Sequence, residues 1–233
     1  MPIRLRYILL FLTVMLIWSC QREKTQFSLV SHKRTGITFR NTIKEFPDFN
    51  TLGYNYMFNG GGVAAGDINK DGLVDLFFTG NLVGNRLYLN KGNFRFQDIT
   101  DKAGISSEPI WSNGVSMADV NGDGFLDIYV ANSTDSRQRF RKNFLYLNNG
   151  DLTFTDRAEE LGVADHAYST HAAFLDYDKD GDLDLFSLNH SVDKFALFRE
   201  EYIGIRHGRD AWYGQKLYRN DGTRFTEVTM SAG

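Results

Sequence analysis

Three segments of this chain place an oxygen-bearing side chain at alternate positions and then turn on a glycine. They read Asp67-Ile-Asn-Lys-Asp-Gly-Leu-Val-Asp75, Asp119-Val-Asn-Gly-Asp-Gly-Phe-Leu-Asp127 and Asp176-Tyr-Asp-Lys-Asp-Gly-Asp-Leu-Asp184. In the shared pattern D-x-[DN]-x-D-G-x-x-D, the first loop offers Asp67, Asn69, Asp71 and Asp75. The second offers Asp119, Asn121, Asp123 and Asp127, and the third Asp176, Asp178, Asp180 and Asp184. A hard cation such as Ca²⁺ takes about six to eight oxygens at about 2.3–2.6 Å, and closely spaced short side chains can converge on it. The residue after the glycine would add its backbone carbonyl, so its side chain is free to vary: Leu73, Phe125 and Asp182. Without a cation, two carboxylates about 4 Å apart cost roughly 4 kcal/mol at an effective dielectric of about 20. The residues therefore predict about three Ca²⁺ ions, one per loop, with the all-Asp third loop binding most tightly. The alternative for the same residues is a set of Asx-turn hairpin loops that hold no metal. An EF-hand fits poorly. It needs a bidentate Glu at its twelfth position and helical flanks, whereas Phe78, Val130 and Ser187 stand there and the flanks are rich in strand formers.

Something must hold these loops in register, and the surrounding sequence is a repeat. Arg86-Leu-Tyr-Leu-Asn90, Phe144-Leu-Tyr-Leu-Asn148 and Lys216-Leu-Tyr-Arg-Asn220 each follow one Asp loop. A Phe-x-Asp or Phe-x-Glu block comes next, at Phe96, Phe154 and Phe225, and runs on to Gly104, Gly162 and Gly233; a further copy starts at Phe27 and reaches Gly36. Self-similarity at a period of 50-odd residues takes precedence over any local reading. Each unit contains short runs of β-formers such as Phe125-Leu-Asp-Ile-Tyr-Val130. Lys91-Gly92, Asn149-Gly150 and Asp221-Gly222 read as two-residue hairpin reversals. The expected fold is all-β, a partial β-propeller of about three four-stranded antiparallel blades, preceded by an N-terminal signal helix.

Composition agrees with a folded, non-nucleic-acid-binding chain. Of 233 residues, 42% are hydrophobic, and 26 basic residues face 29 acidic ones. A nucleic-acid binder would show a basic excess. Asp outnumbers Glu 21 to 8, and 11 of those Asp lie in the three loops. Residues 1–19 combine a basic start (Arg4, Arg6) with an apolar run from Tyr7 to Trp18. That run is too short for a membrane span, which needs about 20 residues, and suits a signal peptide. Ile17, Ser19 and Cys20 resemble a bacterial lipobox, which implies lipidation of Cys20, a tether over 20–26 and a lipid-anchored place in the bacterial envelope, at the outer membrane or cell surface. An ordinary cleaved signal is the alternative.

The Asp loops between strands, the Gly61-Gly-Val-Ala-Ala-Gly-Asp67 approach and the Leu-Tyr-Leu-Asn blocks resemble FG-GAP/VCBS repeats over residues 27–233. Such repeats form the calcium-loop propellers of integrin α chains and of cartilage acidic protein, and occur in bacterial proteins that carry an ASPIC/UnbV domain. The resemblance implies Ca²⁺ in each loop, ligated from positions 1, 3, 5, 7 (carbonyl) and 9, and a propeller used for binding or adhesion.

Other features read as scaffold. Gly60-x-Gly62-x-x-Ala65 fits a dinucleotide fingerprint only formally, because no βαβ unit follows; these glycines suit close packing near a propeller axis, and no nucleotide is expected. Five scattered histidines form no zinc triad, and no nucleophile elbow is present. Residues 190–214 interrupt the third unit with aromatics and arginines and rank first as a recognition surface, and the aromatic stretch 38–58 could line one face. Three blades cannot close a ring of about four to eight, so the chain is expected to be the N-terminal part of a longer protein whose 27–37 block completes the last blade. The expected function is a calcium-stabilised, lipid-anchored module that binds a glycan or a protein and is not an enzyme. A calcium-dependent polysaccharide lyase and a scaffold of an outer-membrane uptake complex are the alternatives.

Overall fold

The computed structural model describes residues 26–47, 49–52, 54, 56–133, 141–190 and 214–232. The chain divides into two units, Met1–Ser31 and His32–Gly233. The leader, Cys20 and most of the 190–214 insertion lie outside the described residues.

Within the second unit, twelve strands form three sheets of four. The first contains β1 (Val63–Gly66), β2 (Asp75–Phe78), β3 (Arg86–Asn90) and β4 (Phe96–Asp98). The second contains β5 (Ser112–Ala118), β6 (Asp127–Asn132), β7 (Phe144–Asn148) and β8 (Phe154–Asp156). The third contains β9 (Ser169–Leu175), β10 (Asp184–Asn189), β11 (Lys216–Asn220) and β12 (Phe225–Glu227). Each is an antiparallel meander in chain order, so each is one blade. Each Asp loop joins the first strand of its blade to the second.

The apolar core lies between blades. One cluster joins Phe77, Leu87 and Ile99 of the first blade to Val115, Ile128 and Tyr146 of the second. Another joins Tyr129 and Leu145 of the second to Ala172, Leu185 and Tyr218 of the third. This accounts for a difference between equivalent strands. In β2 burial alternates, as in a sheet covered on one face, whereas every residue of β6 is buried because a blade packs on each side of it.

Inner strands approach closely, and glycine makes the approach possible. A Cβ on Gly62 would lie 2.7 Å from the carbonyl oxygen of Asn113, and one on Gly114 would lie 2.6 Å from that of Thr170. Gly62, the second glycine of the formal nucleotide fingerprint, thus serves blade packing. The single-turn helices α1 (His32–Thr35) and α2 (Ala158–Leu161) are each followed by a left-handed glycine. Gly36 is tucked against the Phe96 carbonyl as Gly104 is against that of Phe154 and Gly162 against that of Phe225. Tyr88 Oη accepts from the N–H groups of Thr38 and Phe39, as Tyr146 Oη accepts from Ser106. Residues 36–39 therefore sit on the first blade as the exit of one blade sits on the next.

The hairpins depart from the two-residue expectation. They span 91–95, 149–153 and 221–224. Gly92, Gly150 and Gly222 do have positive φ, near +77°. Their N–H groups donate to the side-chain oxygens of Asn90, Asn148 and Asn220, an Asx turn within the longer reversal. Part of the aromatic stretch 38–58 packs on Trp111: Tyr54 and Met57 are buried with it, and Phe49 lies beside them.

Candidate metal centre

The three loops share one backbone form. Position 6 is left-handed in all, with φ of +83° at Gly72, +86° at Gly124 and +100° at Gly181. Position 4 is left-handed too, at Lys70, Gly122 and Lys179. Neighbouring loops touch: Lys70 Nζ of the first lies 3.9 Å from the centroid of the Phe125 ring of the second.

The carboxylates divide into two roles. Positions 1 and 5 shape the loop. Asp67 Oδ1 accepts from the Asn69 and Asp71 N–H groups and its Oδ2 from Gly72, while Asp71 Oδ1 accepts from Leu73. Asp119 and Asp123 repeat the scheme with Asp123, Gly124 and Phe125. In the third loop Asp178 accepts from Asp180, and Asp180 from Asp182.

Position 9 is different. Asp75, Asp127 and Asp184 are buried beneath the loops, at 0%, 1% and 0% exposure. In each, Oδ2 accepts from the position-2 N–H (Ile68, Val120, Tyr177), and Oδ1 accepts from the N–H of the asparagine ending the third strand (Asn90, Asn148, Asn220). Each oxygen keeps a lone pair for a further partner.

The electrostatics are those of crowded acids. Burial, reinforced by Asp123 and Asp119, pushes Asp127 up to about 6 despite its two N–H donors. Burial raises Asp75 as well, with Asp71 and Asp67 adding to it. Burial and the carboxylates of Asp180, Asp184 and Asp176 raise Asp178. Asp67 goes the other way: burial pushes it up, but its backbone N–H donors together outweigh that and hold it low.

The loops differ in how far their donors converge. Among the described residues, one group of three or more acidic or histidine side chains brings its ligand atoms within 4.8 Å of one another: Asp176, Asp178 and Asp184. In the first two loops the position-3 amide nitrogen, on Asn69 and Asn121, donates instead to the carboxylate of Asp71 and Asp123. The donor set is all oxygen, anionic and built on a tight turn, which fits a hard divalent cation. Leu73, Phe125 and Asp182 follow the left-handed glycine, where a backbone carbonyl would complete such a set.

A family model of FG-GAP-like repeats matches residues 67–130 and 131–187, just over half of the sequence. The chain belongs to the FG-GAP-like repeat family. It is also similar to cartilage acidic protein 1. The Xenopus tropicalis protein is 32% identical over 160 residues, 68% of this chain and 24% of that one. The mouse protein is 28% identical over 123 residues (52% and 17%), and the human protein 32% over 98 (42% and 14%). The chain thus matches about a quarter or less of the length of these relatives. In this FG-GAP chain the repeating asparagine that ends the third strand is the residue whose part at the site is not apparent from sequence. Its recurrence in step with the Asp loops was the available signal.

Proposed function

We propose that this chain is a calcium-stabilised propeller module that presents a ligand-binding or adhesive surface for a glycan or protein, rather than an enzyme. The observation that carries the metal reading is that Asp176, Asp178 and Asp184 each bring a carboxylate oxygen within 4.8 Å of the others. Asp67, Asn69, Asp71 and Asp75, and Asp119, Asn121, Asp123 and Asp127, present the same donor order on the same backbone. FG-GAP membership and similarity to cartilage acidic protein 1 support a binding role. The lipobox-like run ending at Cys20 supports a lipid anchor and display in the bacterial envelope.

The ion acts by balancing charge that the fold has already gathered. A ligand bound by the native state alone stabilises it by mass action, about 2.7 kcal/mol at a hundredfold excess over Kd. Thermal unfolding of the metal-free protein, then with Ca²⁺ added, tests this. A clear rise in Tm and binding near three ions per chain are expected. Equal Tm with and without Ca²⁺, and no heat of binding, would refute it. Labelling with radioactive palmitate, lost on Cys20→Ala, tests the anchor.

A further inference from the structure

Asn148 and Asn220 stand outside the proposed ligand set, yet each touches two loops. Asn148 donates its backbone N–H to Asp127 of its own blade at 2.8 Å. Its Nδ2 donates to the carbonyl of Leu126 in that loop and, at 2.8 Å, to the carbonyl of Ile68 in the loop of the preceding blade. Asn220 does the same one blade on. Its N–H reaches Asp184 at 2.8 Å, and its Nδ2 reaches Leu183 of its own loop and Val120 of the preceding one at 3.0 Å. Both are almost fully buried, at 5% and 4% exposure, so these bonds do not compete with water.

The residues whose carbonyls receive the cross-blade bonds are themselves tied to a candidate ligand, through the N–H of the adjoining peptide unit. Ile68 N–H donates to Asp75, and Val120 N–H to Asp127. An unbroken series results: Asp75, Ile68, Asn148, Asp127, Val120, Asn220, Asp184. Every position-9 carboxylate lies on it.

We propose that Asn148 and Asn220 are positioning residues that couple neighbouring metal loops, so that occupancy of one loop raises the affinity of the next. This rests on the calcium reading above. An ion drawn to Asp127 fixes that carboxylate. The carboxylate fixes the Val120 peptide and the Asn148 N–H, and the two asparagine amides carry the restraint to the loops on either side. Shared ordering of this kind is a coupling free energy, and it is reciprocal. Asn90 supplies a built-in control. It makes the same contacts with its own blade, to Asp75, Val74 and Gly92, and among the described residues it has no bond to another loop.

The third loop can be read separately because Tyr177 lies inside it, between Asp176 and Asp178, whereas the first two loops contain no Tyr or Trp. Terbium bound there is sensitised by tyrosine excitation. The test uses the purified chain, with the second loop silenced by the pair Asp119→Ala, half-buried, and Asp123→Ala, exposed. Silencing is expected to weaken terbium binding at the third loop about fivefold or more, the lower end of usual coupling. In an Asn220→Ala background the same silencing should change it little, whereas in an Asn90→Ala background the full effect should persist. Should Asn220→Ala fold poorly by circular dichroism, Asn220→Asp keeps the volume and removes the donor. Third-loop affinity that ignores silencing overturns the coupling while leaving the calcium reading intact, and so does an effect that survives both Asn220 variants. No terbium binding at all overturns the calcium reading itself.

Discussion

Asp127 makes the metal-free protein sensitive to pH in a direction opposite to common acid denaturation. Its carboxyl is buried and pushed up to about 6 from an ordinary value near 3.8, chiefly by loss of water. The folded state therefore holds this proton more tightly than the unfolded chain does. The stabilisation is complete below about pH 4 and is lost as pH rises through about 6. About two units at about 1.4 kcal/mol each make the loss roughly 3 kcal/mol. That corresponds to about 6–12 °C in Tm for a chain of this size. Asp75 and Asp178, also raised, add in the same sense, whereas Asp67, which is lowered, and His190, which burial lowers so that its protonation costs stability at acid pH, offset part of it. Bound Ca²⁺ replaces the proton, so the loaded protein should not lose this stability. The assay is urea unfolding followed by tryptophan fluorescence at pH 4.5, 5.5 and 7.5, with buried Trp111 as reporter. The metal-free midpoint should fall across this range, and the Ca²⁺-loaded midpoint should hold or rise. Asp127→Asn should flatten the metal-free slope while lowering stability throughout, because its amide cannot accept from both Val120 and Asn148. A metal-free midpoint that is level or rises towards pH 7.5 would refute the reasoning, as would an unchanged slope in the variant.

Three further outcomes follow from the packing. Gly114→Ala places a Cβ 2.6 Å from the Thr170 carbonyl and should cost about 1–3 kcal/mol in urea unfolding, the same loss with Ca²⁺ as without it, because the loops lie at the other end of the strand. Tyr88→Phe removes the acceptor shared by Thr38 and Phe39; a loss of about 1–3 kcal/mol and faster amide exchange at those two residues are expected. Lys216 pairs with buried Asp165 at 2.7 Å, so Lys216→Met should destabilise by about 3–5 kcal/mol, and the double variant with Asp165→Asn should recover part of that in thermal melts.

What the sequence disclosed was local. The spacing of Asp and Gly in the three loops, the order of the strands and the positive φ of Gly92, Gly150 and Gly222 all depend on residues within one unit. What it concealed depends on partners far along the chain. Asn148 meets Ile68 across 80 residues, and Asn220 meets Val120 across 100. The buried state of Asp75, Asp127 and Asp184 is equally hidden, because an Asp reads as a surface residue until its two N–H donors are located. The hairpins differ from the two-residue expectation for a local reason: the asparagine before each X-Gly pair uses its side chain to hold the glycine N–H, so the pair forms an Asx turn within a reversal of four or five residues.

The opposition between a metal loop and a plain Asx turn dissolves once the bonds are assigned. Asp67 and Asp119 cap backbone N–H groups at positions 5 and 6, Asp71 and Asp123 cap position 7, and all of this stands on protein groups alone. The Asx turns account for the shape of the loop, and they require no ion. They do not account for why a carboxylate is buried at position 9 with further carboxylates above it. The two N–H donors account for the two acceptor oxygens at position 9 but not for the carboxylates crowded above them; burial and the electrostatic cost of that crowding leave Asp127 raised to about 6. A divalent cation removes that cost, and the preformed turn spares it the entropy of ordering the loop. On the calcium reading proposed above, the two describe successive parts of one device. Substitution should separate them: Asp71→Asn, which keeps the cap and removes a charge, should weaken Ca²⁺ binding while leaving metal-free stability nearly unchanged. Asp75→Asn should lower both. If Asp71→Asn proves as damaging to the metal-free fold as Asp75→Asn, the division of labour between the upper and lower carboxylates is wrong.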